Sequence, residues 1–86
     1  MSDAGAIGST IEDMVDILKQ MNEEGNLSYE DLRLSIHILY FLIVDCQKNS
    51  IDLGIEDEYM ATIKEFISEE KLKECQKYVS EPVSEG

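Results

Sequence analysis

One segment constrains this chain more than any other. From Ile36 to Cys46 the sequence reads IHILYFLIVDC, apolar at every position but His37 and Asp45. It sits inside a stretch that opens as helices open. Ser28 stands at an N-cap position, Asp31 follows three residues later, and Leu27 and Leu32 are spaced to close a hydrophobic staple. The spacing predicts a helix over 29–48. A helix with apolar side chains on every side has to be surrounded by protein. The chain must either supply other helices to cover it or share it with a second copy.

Three further segments have helical periodicity, and none alternates as a strand does. The first is expected over 10–24, with Ser9 and Glu12 at capping-box spacing and Ile11, Met14, Val15, Leu18 and Met21 on one face. Gly25-Asn26 should stop it, because both residues tolerate the left-handed conformation of a helix C-terminus. Residues 49–54 form a connector whose Ile51 and Leu53 are expected in the core. A third helix is expected over 56–67, with Tyr59, Met60, Ile63, Phe66 and Ile67 inward. Ser68 then caps a fourth, to about Val79, whose stripe of Leu72, Cys75 and Val79 is thin. At 86 residues there is room for one small core. The expected architecture is all-α, a compact four-helix domain over 9–79. It has a flexible N-terminus over 1–8 and a disordered tail over 80–86 that holds the single proline, Pro82. Because the fourth helix offers little cover to the second, a homodimer is expected, with Ile38, Phe41 and Leu42 at the shared face.

Charge narrows the function. Nineteen Asp and Glu against seven Lys and Arg leave a net charge of −12. Such a body repels phosphate backbones and anionic headgroups, so neither direct nucleic-acid binding nor membrane docking is expected. The longest apolar run, Ile38–Val44, is far shorter than the ~18–20 residues that span a bilayer. The first ten residues carry no basic residue and no apolar run, so no signal peptide is read there. Cys46 and Cys75 lack paired spacing and are expected as buried thiols, which together point to a cytoplasmic setting.

Part of the acidity is structural, since Glu12-Asp13, Glu30-Asp31, Glu56-Asp57-Glu58 and Glu69-Glu70 fall in first turns, where carboxylates offset the helix dipole. The rest is unevenly spread. Residues 1–63 carry −10 and residues 64–86 only −2. That asymmetry points to a basic protein surface as partner. The candidate contacts are Glu23, Glu24, Glu30 and Asp31 at the corner between helices one and two, and Asp52, Glu56, Asp57 and Glu58 at the next.

Catalytic chemistry is not expected. His37, the only histidine, has no serine or cysteine nucleophile at a usable spacing. With Cys46 and Cys75 it makes at most three soft metal ligands, none closely paired, so neither a metal nor a cofactor is assigned. The helix 1–2 corner, QMNEEGNLSYED over Gln20–Asp31, resembles a degenerate EF-hand loop, with Gly25 at the turn and Asn22 and Glu24 at ligand positions. It departs at both ends, where Gln20 replaces the first Asp and Asp31 the closing Glu. An acyl carrier is set aside because Asp52-Leu53-Gly54 lacks the carrier serine.

Residues 11–44, with the Gly25-Asn26-Leu27-Ser28 break followed by Leu32, Leu34, Ile36 and Leu39, resemble the N-terminal dimerisation domain of small glutamine-rich TPR co-chaperones. Ser35, Ile38 and Cys46 depart from that family's small-residue and cysteine positions. The resemblance implies an acidic helical dimer that docks the basic face of a ubiquitin-like partner. The leading expectation is a non-catalytic adaptor or inhibitor that binds a basic protein surface. The alternatives are a DNA-mimic inhibitor of a nucleic-acid-binding enzyme, a calcium-responsive module, and a dimerisation domain of the co-chaperone type.

Overall fold

A computed structural model describes residues 4–81. The chain is all-α: α1 (Ala4–Glu23), α2 (Tyr29–Lys48), α3 (Asp57–Lys64) and α4 (Glu69–Ser80). Residues 1–3 and 82–86, parts of the expected flexible start and disordered tail, lie outside the described residues.

The α1–α2 corner folds as its sequence dictates. Gly25 takes φ 81°. Around it the Asn26 N–H donates to the Met21 carbonyl at 2.8 Å and the Gly25 N–H to Asn22 at 3.1 Å, the bond pair of a Schellman stop. Ser28 then caps α2, its hydroxyl accepting from the Asp31 N–H at 3.1 Å. So short a link folds α2 back antiparallel to α1.

α2 is the central helix. It buries Leu32, Ile36, Leu39, Tyr40, Ile43, Val44 and Cys46, against Ile11 and Val15 of α1, Leu53 of the connector, Ile63 of α3, Ile67 of the α3–α4 turn and Cys75 of α4. Both cysteines are free.

Four expectations need correction. α1 begins at Ala4, so residues 4–8 are helical, Ser9 is internal, and Glu12-Asp13 lie mid-helix rather than in a first turn. The Thr10 hydroxyl donates back to the Ala6 carbonyl at 2.8 Å, as helix-interior hydroxyls do. The cause is non-local, because Gly8 is buried where α1 crosses the connector, its backbone against the Leu53 carbonyl. Met14, expected inside, is exposed, and so is Ile51. Only Leu53 of the connector enters the core, since Ser50 turns left-handed (φ 60°) as α2 stops. α3 ends at Lys64 rather than Ile67. Phe66 and Ile67 close tighter i→i−3 bonds onto Ile63 and Lys64, which frees Ser68 to cap α4 in an extended conformation.

Candidate interaction surface

The acids predicted to meet a partner are all exposed, and the fold sorts them into two groups. Glu23 and Glu24 end α1 beside Glu30 and Asp31 at the start of α2. Asp52, Glu56, Asp57 and Glu58 lie at the other end of α2, in the connector and the first turn of α3. α2 has 20 residues, so about 30 Å separates the groups. Within the second group the Asp52 carboxylate is partly engaged, accepting from the Gly54 N–H at 2.9 Å.

A third acidic group went unread. Glu12, Asp13 and Asp16 gather where α1 meets α3, around Tyr59, whose hydroxyl donates to the Glu12 carbonyl at 2.7 Å and to Asp16 Oδ1 at 2.9 Å. Burial chiefly, then the Asp16 bond and the charges of Asp16, Glu12 and Asp13, hold the Tyr59 hydroxyl well above its ordinary range. The signal was present as three carboxylates within five residues, but only tertiary structure brings a tyrosine to them.

Few of these charges are neutralised locally. Among the described residues the single ion pair is Lys71–Glu74, 3.4 Å apart and largely exposed. Lys48, the basic residue in the last turn of α2, serves backbone carbonyls instead. Its ammonium donates to Tyr78 at 2.7 Å and Glu81 at 2.9 Å and stands 4.4 Å from the Tyr78 ring centroid.

The groups with catalytic potential are occupied structurally. His37 Nε2 lies 3.1 Å from the Phe66 carbonyl and fastens the α3–α4 turn to α2. Burial foremost pushes the Cys75 thiol up, with Lys71 opposing and Glu74 adding, so a thiolate is disfavoured. In the EF-hand-like corner the Asn22 amide donates to the Leu27 carbonyl at 2.8 Å. Among the described residues, no three or more His, Cys, Asp and Glu lie close enough to hold a metal ion. No helix among them is long and apolar enough to cross a membrane.

The remaining feature is apolar. Ile38, Phe41 and Leu42, placed at a shared face by sequence, are 73%, 57% and 44% exposed, and Leu34 is exposed with them. Phe41 rests on the Tyr78 ring, centroids 6.0 Å apart and planes 27° apart, which holds it in place. Across the helix pair, Ile7, Met14 and Ile17 of α1 are exposed too. Ile7 and Met14 join Leu39 and Leu42 in lining an open groove of about 350 Å³ between α1 and α2. The signal for the α1 part was an apolar stripe, from Ile7 to Met21, broader than one buried face requires.

The chain was compared with protein-family models, curated proteins and solved structures, and none matches it.

Proposed function

We propose that this chain is a non-catalytic protein-binding module, an adaptor or inhibitor, whose partner presents a basic surface. The observation that carries the reading is the unneutralised acidity. At −12, of which −10 falls on residues 1–63, and with a single ion pair among the described residues, the molecule carries a negative field centred on its first three helices. Such a field steers cationic partners and raises encounter rates. Two exposed carboxylate groups, Glu23, Glu24, Glu30, Asp31 and Asp52, Glu56, Asp57, Glu58, are the candidate contacts, and their separation lets either work alone. No residue is assigned a catalytic role.

The test is affinity capture from native lysate at low salt, with wild type beside the charge-reversed E23K/E24K/E30K variant. Captured proteins should be released by raising salt and retained poorly by the variant. Capture indifferent to both salt and charge reversal overturns the proposal.

A further inference from the structure

The exposed apolar side chains of α1 and α2 form one continuous face, and the geometry points to its occupant: an amphipathic helix of a partner protein, with an apolar stripe flanked by lysine or arginine. This inference rests on the basic-partner reading and gives that partner a shape.

The face is a pair of helix sides left open except where Phe41 rests on Tyr78 of α4. On α2, Leu34, Ile38, Phe41 and Leu42 follow the i, i+4, i+7, i+8 spacing of a single outward stripe. On α1, Met14 lines the groove shared with α2, and the exposed Ile17 lies one turn further along the helix. The groove lined by Ile7, Met14, Leu39 and Leu42 joins the two. A lone exposed leucine needs no explanation, whereas large apolar residues gathered on adjacent helices mark a binding surface. Two near-antiparallel helices with a groove between them suit a third helix, which lays its own i, i+3, i+4, i+7 side chains along it.

Charge chooses between occupants. Asp31 and Asp45 stand in helical register with Ile38 and Leu42 on the outer row of α2, the Asp31 carboxylate exposed and the Asp45 carboxylate accepting from the Tyr78 hydroxyl at 2.8 Å. The outer row of α1 places Asp13 one turn before Ile17, and Glu24 follows in the turn just past the end of α1. Lys48 continues the α2 row past Phe41 and Asp45, but its ammonium is held by the carbonyls of Tyr78 and Glu81; no lysine or arginine falls on the α1 row. The apolar face is thus framed by carboxylates. A second copy docked here would set one acidic frame against another, a like-charge juxtaposition that opposes pairing. A helix with basic flanks matches both the stripe and the frame.

The experiment uses three fluorescent peptides about five helical turns long, titrated into the full chain and followed by anisotropy and by amide and methyl NMR shifts. One has a leucine stripe with lysine flanks, one the same stripe with glutamate flanks, and one lysine flanks with the stripe changed to glutamine. The first should bind at least about tenfold more tightly than either other, shifting Met14, Ile17, Ile38 and Leu42. Ile38→Lys and Leu42→Gln should each weaken it about tenfold while circular dichroism stays unchanged, as befits exposed positions.

If the glutamine-stripe peptide binds equally well, the apolar face has no part and this inference fails, while the basic-partner reading stands. Equal binding of the glutamate-flanked peptide removes the charge argument, and the basic-partner reading with it. If no peptide binds, the inference is overturned. Light scattering that then shows a dimer dissolved by Ile38→Lys would assign the face to a second copy.

Discussion

Gly8 is the residue on which the placement of α1 turns. A methyl group there would overlap the carbonyl oxygen of Leu53, a backbone atom that cannot swing aside as a side-chain tip can. Alanine is the better helix former by about 1 kcal/mol, so the Gly8→Ala variant sets propensity against packing. Packing should prevail, with a net loss of about 1–3 kcal/mol in urea denaturation; an unchanged or raised midpoint would show that the crossing is loose. Ser50 presents the opposite case. It occupies a left-handed position (φ 60°) in a turn closed by Ile51 N–H to Cys46 at 2.8 Å and Ser50 N–H to Gln47 at 3.0 Å. This is the same stop that Gly25 makes at the end of α1, without the glycine. A non-glycine residue there costs roughly 1–2 kcal/mol, partly offset by glycine's greater freedom when unfolded. Ser50→Gly should therefore stabilise by about 0.5–1 kcal/mol, read as a higher melting temperature. No gain would mean that the serine side chain is worth its strain.

Among the elements, α4 depends most on its ends. Only Cys75 is fully buried on it. Ser68 caps its start, accepting from the Lys71 N–H at 3.2 Å. Its finish is held from α2 by the Lys48 ammonium on the carbonyls of Tyr78 and Glu81. Lys48→Met keeps the stem and removes the donor. Amide exchange should quicken through the last turn of α4, by an equivalent of about 1 kcal/mol, while the α2 core stays protected. A uniform change along the chain would refute a local clasp. The elements also differ in how legible they were. α2 and α4 lie close to their expected places because each carries a serine cap and a staple, Leu27–Leu32 and Ile67–Leu72, that act within a few residues. The α1 start was misplaced because Ser9 and Glu12 have capping-box spacing with no box formed. Residues 4–8 join the helix on account of Leu53, some 45 positions away in the chain. α3 was drawn too long because periodicity continues through Phe66 and Ile67, whereas His37 draws the Phe66 carbonyl out of the helix.

For the whole molecule, net charge and core pull in opposite directions. Nearly all carboxylates of a −12 domain lack an ion-pair partner among the described residues, so compaction works against self-repulsion that added salt screens. The melting temperature should rise by a few degrees between low and physiological sodium chloride, since about 1 kcal/mol corresponds to roughly 4–8 °C in a domain this small. Scanning calorimetry is the measurement. A flat response would mean that the acids are too dispersed to strain the fold, and would weaken the case for a steering field.

By itself the sequence determined the all-α class, the two capped helices, the Gly25 stop, the burial of the α2 core and the excess of acid, because each follows from residue type and spacing over a turn or two. Tertiary structure alone decided three things. It carried Gly8 to Leu53 and so lengthened α1. It assembled an acidic group of Glu12, Asp13 and Asp16 around Tyr59. And it decided which sides of the apolar helix its neighbours reach, leaving Leu34, Ile38, Phe41 and Leu42 in the open. Periodicity reports that a residue is apolar and where it sits on its own helix. Which side of that helix is covered depends on where the other helices pack, and that placement is a property of the whole chain.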